Sequence, residues 1–239
     1  MSRIGIFDSG AGGLSVARVI MEYLPDADIV YFGDSKNLPY GDKSLEQLKS
    51  YSKNAIEFLE KHQVDIIIAA CGTISSNCLD YAKSLTTLPI FDIVSCIADL
   101  IDETHKKIAI MATSKTIDSG LHKNLILEKY PLAEVVEIKC PKLLPLIEGQ
   151  QMDGLKNALH EYLSQLDGAD AIVLGCTHYP LVTEVIEQVL ETLGLSSQII
   201  DPAYALVKKL PKRELLFFTS GDDEKFQKML DFALQKGKN

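Results

Sequence analysis

DIIIAAC at residues 65–71 and DAIVLGC at residues 170–176 share one layout, in which an aspartate is followed by five small or apolar residues and a cysteine. Such short, continuous apolar runs are typical of strands that are buried on both faces of a parallel sheet. Because the cysteine position matches as well as the apolar pattern, the repetition indicates two similar α/β halves that face each other. In both halves, the thiol is expected at the point where a strand ends.

Apolar runs of the same kind alternate with longer amphipathic stretches along most of the chain. Further strands are predicted at 3–7, 28–32, 89–94, 107–112, 134–139, 198–201 and 215–218, and helices at 14–24, 44–62, 151–166 and 182–193. Ser44 and Gln47 have the spacing of a capping box at the start of the second helix. This alternation predicts mainly parallel sheets flanked by helices, and hence an α/β fold.

Two pseudo-symmetric domains, with the active site in the cleft between them, are the architecture that we expect. FDSG at 7–10 is echoed by FTSGD at 218–222, near the other end of the chain. A division consistent with these echoes gives residues 1–93 plus 211–239 to the first domain and residues 94–210 to the second.

The composition argues against several classes of function. The formal net charge of −9 disfavours a general nucleic-acid binder, because neutralising phosphates needs a basic face. No apolar run reaches the roughly 18–20 residues that cross a bilayer, and the N-terminus MSRIGIFDSG becomes polar too soon for a signal peptide. We therefore expect a cytoplasmic protein that binds neither nucleic acid nor membrane. The cysteines are odd in number and lack the paired spacing of a zinc site, so free thiols and no metal are expected.

Two loops that follow predicted strands carry candidate ligand-binding residues. FDSGAGGLS at 7–15 lies at a strand-to-helix turn, where open α/β sheets bind ligands, and its glycines let backbone N–H groups approach an anion. The glycines alone fit a plain tight turn equally well. Asp8, at the carboxyl end of the strand, is placed for proton handling or for binding an ammonium group. NLPYGD at 37–42, taken alone, is typical of a surface turn.

The five cysteines divide by position. Cys78, Cys96 and Cys140 are predicted to be small buried hydrophobes, which is the commoner role of a buried cysteine. Cys71 and Cys176 each end a core strand and begin a loop or helix, and a helix N-terminus favours the thiolate. For one such cysteine, structural and functional interpretations are equally favoured; two at equivalent positions favour a function.

Polar residues close to these two cysteines extend the candidate site. Thr73 and Thr177 supply hydroxyl groups nearby. His178, two residues after Cys176, is placed to donate, accept or relay a proton. Glu148, at the end of LLPLIEG, is by itself typical of a charge at the end of a helix.

Two thiols that enter one cleft from opposite sides suit stereoinversion at a carbon atom. One thiolate removes a proton from one face of the carbon, and the other thiol returns a proton to the opposite face. Each sulfur must act as thiolate in one direction and as thiol in the other, which a pKa near neutrality would serve. An enzyme with a single nucleophile would need only one of the two cysteines.

Five motifs, in order along the whole chain, resemble the cofactor-independent aspartate/glutamate racemase superfamily, and within it the glutamate racemases. They are FDSGAGGLSV, GDSKNLPYG, AAC-x-T, PLIE and LGCTHYPL. The resemblance implies racemisation of L- and D-glutamate between two pseudo-symmetric domains, without pyridoxal phosphate or metal. It also implies supply of D-glutamate for peptidoglycan in a bacterial cytoplasm, by a homodimer.

The same resemblance implies roles for individual residues. Cys71 corresponds to the base that acts on the D-isomer, with Asp8 assisting it. Cys176 corresponds to the base that acts on the L-isomer, with His178 assisting it and Glu148 as a further acidic residue on that side. The substrate-binding positions implied are Asp8, Ser9, Pro39, Tyr40, Gly41, Gly72, Thr73, Thr116, Cys176, Thr177 and His178.

One position departs from the pattern of the family. Gly72 follows Cys71 where the family usually has an asparagine whose side chain contacts the substrate. Glycine removes a donor and an acceptor and loosens the backbone beside a catalytic residue. On the sequence alone, Gly72→Asn is therefore expected to tighten glutamate binding.

Three alternatives stay open at this point. A racemase of another acidic amino acid, such as aspartate, is compatible with Gly72 but less so with His178. A decarboxylase or lyase of the same superfamily would need only one of the two cysteines. A regulatory binding protein built on the same fold would need neither.

Overall fold

Two four-stranded parallel sheets form the frame of the protein. The structure, a computed structural model, describes residues 3–166 and 168–211. The first sheet has the order β2-β1-β3-β4 and the second the order β6-β5-β7-β8. The strands are β1 (Arg3–Asp8), β2 (Asp28–Gly33), β3 (Ile66–Ala69), β4 (Ile90–Asp92), β5 (Lys107–Ala112), β6 (Glu134–Lys139), β7 (Ala171–Leu174) and β8 (Gln198–Ile200). These confirm the strands predicted between residues 3 and 201, while the one predicted at 215–218 lies outside the described residues.

Helices cover both faces of the two sheets. They are α1 (Leu14–Tyr23), α2 (Leu45–Lys61), α3 (Gly72–Asn77), α4 (Leu79–Ser84), α5 (Ser114–Asp118), α6 (Leu121–Lys129), α7 (Leu143–Glu148), α8 (Met152–Leu163), α9 (Thr183–Thr192) and α10 (Ala203–Lys209). The four predicted helices are confirmed to within a few residues at each end. Ser44 and Gln47 form both hydrogen bonds of the predicted capping box.

The two sheets are built alike, and their strand orders map onto each other. We refer to the sheet of residues 3–92 with its helices as the first unit and to the sheet of residues 107–200 with its helices as the second unit. In the first, β3 lies parallel to β1, with Ile4 opposite Ile66. In the second, β7 lies parallel to β5, with Ile108 opposite Ala171. The predicted pair of similar parallel α/β units is confirmed.

Strand residues are buried on both sides of each sheet, which explains why their sequences are continuous apolar runs. Adjacent residues on a strand point to opposite faces, and the adjacent Ile67 and Ile68 are both completely buried. Ile68 packs with the core under α1, whereas Ile67 packs with the core under α2. The sheet is therefore covered twice, as βαβ crossovers require.

Helix α10 packs against the first unit, although it follows the last strand of the second. Ala203, Leu206 and Leu210 share a core with Ile4 and Val16. The division of the chain into 1–93 plus 211–239 and 94–210 stays a prediction, and its C-terminal part, with the FTSGD echo, lies outside the described residues. Within residues 3–166 and 168–211, no helix combines the length and apolarity that crossing a membrane requires.

Candidate active site

The two strand-ending cysteines lie at equivalent places in the two units. Cys71 comes two residues after the end of β3, and Cys176 comes two residues after the end of β7. Since β3 and β7 hold the same place in their sheets, both thiols lie at carboxyl ends, where parallel sheets bind ligands. Cys71 is also the residue that precedes the first turn of α3. The predicted equivalence of these two cysteines is confirmed.

Both cysteines line a single small cavity between the units. Its volume is about 10 Å³, room for about one water molecule. It is lined by Ser9, Tyr40, Gly41, Cys71, Gly72, Thr73, Thr113, Thr116, Leu144, Gly175, Cys176 and Thr177. A substrate of several heavy atoms therefore fits between the thiols only when the lining groups move apart.

Asp8 ties the first glycine-rich loop to the second unit. Its Oδ2 accepts hydrogen bonds from the backbone N–H groups of Gly10 (3.0 Å) and Gly13 (3.1 Å). Its Oδ1 accepts a hydrogen bond from the hydroxyl of Thr177 at 3.2 Å. Burial raises the pKa of Asp8 above its ordinary value, against the opposing effects of His178 and of these three hydrogen bonds. Asp8 stands behind the cavity and orients groups that line it.

Cys176, His178 and Glu148 form a chain of contacts on the other side. The sulfur of Cys176 lies 3.8 Å from Nδ1 of His178, and Nε2 of His178 lies 2.7 Å from Oε1 of Glu148. If Nε2 carries the hydrogen donated to Glu148, Nδ1 is left to accept the thiol proton. The side chain of His178 is buried, whereas one third of the Glu148 side chain is exposed. The chain therefore runs from the thiol toward solvent and suits a proton relay.

Burial dominates the acidity of both thiols. It raises the pKa of Cys71 to about 12, with a further rise from the nearby Asp8 carboxylate. A hydrogen bond from Ser9 and the N–H groups at the start of α3 oppose this rise in the pKa of Cys71. Burial likewise raises the pKa of Cys176, against the N–H of His178. Both cysteines are therefore neutral thiols in the closed cavity, rather than poised near neutrality as the sequence led us to expect.

Three hydroxyl groups meet across the boundary between the units. The oxygen of Thr73 lies 3.3 Å from those of Thr113 and Thr116, which are 2.9 Å from each other. Thr73 and Thr116 were predicted from the sequence, but Thr113 was not. The sequence could have indicated Thr113, because it is a polar residue that directly follows the predicted strand β5. In the structure it caps α5. Leu144 and Gly175, also missed, have no polar pattern to reveal them.

The NLPYGD loop is part of the site rather than a free surface turn. Tyr40 is buried, stacks on Tyr51 with ring centres 5.2 Å apart and donates its hydroxyl to Asp34 at 2.7 Å. Tyr40 and Gly41 line the cavity, whereas Pro39 only precedes them. The asparagine, proline and glycine of this loop explain the turn, but only the fold reveals that it closes the cavity.

Gly72 lies against the backbone of the second unit. A methyl group placed on Gly72 would come within 2.6 Å of the carbonyl oxygen of Gly175. Gly12 is similar, because a side chain there would overlap His178 and Thr177. At both positions, glycine lets the two units approach more closely than a side chain would permit.

The predicted residues thus form two layers. Ser9, Tyr40, Gly41, Cys71, Gly72, Thr73, Thr116, Cys176 and Thr177 line the cavity. Asp8, His178 and Glu148 lie behind it, in hydrogen-bond contact with that lining or with one another. Cys78, Cys96 and Cys140 are buried in apolar cores, as predicted. The described residues contain no group of three or more His, Cys, Asp or Glu side chains arranged to hold a metal ion.

Comparison with known proteins places these features in context. The profile of the Asp/Glu/hydantoin racemase family matches residues 9–210. A glutamate racemase of Thermoanaerobacter sp. strain X514 is 37% identical over 257 aligned residues, covering 97% of this chain and 92% of that protein. The fold is similar to a glutamate racemase from Francisella tularensis solved with D-glutamate (TM-score 0.77, 33% identity, 87% of this chain and 78% of that one). It is also similar to the Escherichia coli glutamate racemase solved with L-glutamate and the activator UDP-MurNAc-Ala (TM-score 0.75, 25% identity, 87% and 81%).

Proposed function

The chain belongs to the Asp/Glu/hydantoin racemase family, and we propose that it interconverts L- and D-glutamate by passing the α-proton between Cys71 and Cys176. The observation that carries this proposal is the pair of thiols that reach one cavity from equivalent strand ends. A symmetric pair of proton-transfer groups suits a reaction whose two directions are mirror images. Relatives that are 33% and 37% identical and cover most of the chain are glutamate racemases, which supports glutamate as the substrate.

The reaction begins with the L-isomer on the side of Cys176. Nδ1 of His178 takes the proton from the Cys176 thiol, and Glu148 stabilises the imidazolium that results. The Cys176 thiolate removes the α-proton, and the electron pair of the broken C–H bond is delocalised into the α-carboxylate. Cys71 then delivers its thiol proton to the opposite face of the carbon. The products are D-glutamate, a Cys176 thiol, a Cys71 thiolate and the imidazolium of His178, and one proton must pass from His178 to Cys71 through solvent before the next turnover.

The substrate itself helps to ionise the thiols. In the closed cavity both thiols are neutral, because burial disfavours their charged forms. The α-ammonium group brings a positive charge between them, and an opposite charge within a few ångströms favours ionisation. Asp8, behind Ser9 and bonded to Thr177, is placed to balance that ammonium group. No cofactor takes part in this sequence of steps.

A smaller acidic amino acid, aspartate, is the alternative substrate. The narrow cavity favours it, because aspartate needs less separation of the units than glutamate does. His178 next to Thr177 favours glutamate, as the family resemblance implies.

Racemisation of the two amino acids, assayed side by side, tests the proposal. Each enantiomer of glutamate and of aspartate is incubated with the protein without added cofactor, and the enantiomers are separated by chiral chromatography. We expect interconversion of glutamate with a kcat/KM at least tenfold above that for aspartate. Preference for aspartate would favour the alternative, and conversion of neither would refute both.

We further propose that the D-glutamate serves peptidoglycan synthesis in a bacterial cytoplasm and that the enzyme acts as a homodimer. Both follow from the resemblance to glutamate racemases. Complementation of a D-glutamate auxotroph tests the first, and sedimentation equilibrium tests the second.

A further inference from the structure

A second cavity lies beside the one that holds the thiols. It has a volume of about 230 Å³ and opens to solvent where the 3₁₀ turn at residues 40–42 and α3 of the first unit face α5 of the second. Its lining is polar and consists of Gly41, Asn77, Ser114, Lys115, Asp118 and Ser119. We call this cavity the outer pocket and the one between the thiols the inner cavity.

The two cavities are neighbours that share part of their walls. Gly41 lines both. Ser114 and Lys115, in the outer pocket, lie between Thr113 and Thr116, whose hydroxyls close the inner cavity together with that of Thr73. The partition between the pockets is therefore a group of threonine hydroxyls that belong to both units.

Lys115 gives the outer pocket a positive charge. It is half-buried and forms no ion pair with any residue in the described ranges 3–166 and 168–211. The carboxylate of Asp118, in the same pocket, is engaged by Lys139 at 2.5 Å. The chain as a whole carries a net charge of −9, which repels anions. A cation without an ion-pair partner among the described residues, beside the inner cavity, offsets that repulsion where an acidic substrate must enter.

We propose that the outer pocket is the encounter site for the substrate, where Lys115 binds a carboxylate of a dicarboxylic amino acid before the threonine partition opens. This inference rests on the proposed function for the nature of the substrate. The hydroxyl of Ser114 and the amide of Asn77 supply further hydrogen-bond donors to the same carboxylate, whereas the hydroxyl of Ser119 already donates to the backbone oxygen of Thr116 at 2.6 Å. Asn77 donates one amide hydrogen to the carbonyl oxygen of Thr73 at 2.9 Å, which leaves its second one available.

Removal of the charge should weaken binding without slowing the proton transfers. Lys115 acts outside the inner cavity, so Lys115→Gln is expected to raise KM and leave kcat unchanged. Loss of one charge at several ångströms from the substrate, in a partly solvated cleft, should raise KM about threefold. Reversal of the charge in Lys115→Glu should raise KM about tenfold. Both effects should vanish at about 0.5 M salt, where the Debye length falls to a few ångströms.

A matched control separates this effect from a change in net charge. Lys156 is exposed on α8, away from both cavities, and Lys156→Gln removes the same charge. Racemisation kinetics of the wild type, Lys115→Gln, Lys115→Glu and Lys156→Gln are measured at 20 mM and 500 mM NaCl. We expect a higher KM only for the two Lys115 variants and only at low salt. Equal KM values in all four proteins would refute the encounter site.

A binding measurement keeps the test independent of turnover. Glutarate, a dicarboxylate without a stereocentre, is titrated into the same four proteins by calorimetry. We expect weaker glutarate binding for the Lys115 variants at low salt and wild-type binding for Lys156→Gln. If the wild type converts no amino acid, the proposed function fails, and this titration alone shows whether the outer pocket binds a dicarboxylate through Lys115. Identical glutarate affinities in all four proteins, or no glutarate binding to the wild type, would overturn the proposed encounter site.

Discussion

Thr177 of the second unit donates its hydroxyl to Oδ1 of Asp8 in the first unit at 3.2 Å. The other oxygen of Asp8 holds the glycine-rich loop of its own unit. One buried carboxylate therefore links the loop after β1 to the loop that carries Cys176. Because this link holds the two units together beside the cavity, it limits the distance between the thiols of Cys71 and Cys176.

Replacement of Asp8 by asparagine should change the pH dependence of stability and impair the enzyme. Burial raises the pKa of Asp8, so the folded state disfavours its charge and the wild type loses stability as pH rises through that raised pKa. Asparagine loses one acceptor oxygen at every pH but carries no buried charge, so we expect the Tm of Asp8→Asn relative to the wild type to be higher at pH 7.5 than at pH 3.5.

Activity of Asp8→Asn should fall. Loss of the carboxylate removes the partner of the substrate ammonium, and we expect kcat/KM to fall by about 10²-fold or more. Thermal scans between pH 3.5 and 8 and racemisation assays of the same preparation check both parts. The quantity to compare is the Tm of Asp8→Asn minus the Tm of the wild type. A smaller value of this difference at pH 7.5 than at pH 3.5 would contradict the electrostatic account.

Replacement of Glu148 by glutamine tests the relay behind Cys176. Glutamine keeps the size of the side chain but cannot stabilise an imidazolium at His178, and we expect kcat/KM to fall by about tenfold to 100-fold. The equilibrium constant of a racemisation is one, so kcat/KM must fall equally in both directions. Glu161→Gln is the control, because it makes the same substitution at a surface glutamate that pairs with Lys142. Wild-type kinetics in Glu148→Gln would exclude the relay.

A side chain at position 72 should force the units apart. The contact with the backbone oxygen of Gly175 leaves no room for a β-carbon, and crowding of this kind costs about 1–3 kcal/mol. We expect Gly72→Ala and Gly72→Asn to lower both Tm and kcat, because the thiols separate. This reverses the expectation from the sequence, which considered only the missing amide of asparagine.

Gly154→Ala is the matched control for Gly72. A methyl group there would meet only the flexible end of the Leu146 side chain, so the same substitution is accommodated locally. Denaturant unfolding and kinetics of the three variants check the prediction. Tighter glutamate binding and undiminished kcat in Gly72→Asn would support the interpretation from the sequence instead.

Much of this architecture could be predicted because each local signal agreed with the global fold. Continuous apolar runs predicted the strands, and the matching places of Cys71 and Cys176 predicted two equivalent units. Asp8 was identifiable for the same reason, since it ends a strand at the edge where parallel sheets bind ligands.

The remainder depends on contacts between residues far apart in the chain. Leu144 and Gly175 line the cavity only because the two units pack together, and no local pattern marks them. The neutral state of the thiols also follows from burial between the units. A helix N-terminus at Cys71 suggested the opposite, but desolvation outweighs the N–H groups. Similarly, nothing in the sequence indicated that Lys115 lies at the mouth of the site.

Proton transfer by two bases is the central claim, and isotope incorporation in D2O tests it most directly. Each glutamate enantiomer is converted separately, and both enantiomers are analysed by NMR and mass spectrometry at early times. We predict that the product carries one α-deuterium while the remaining substrate keeps its proton, in both directions. Cys71→Ser and Cys176→Ser should each lower racemisation by about 10²–10⁴-fold. Product that retains the α-proton of its substrate, or full activity in either serine variant, would contradict the two-thiol mechanism.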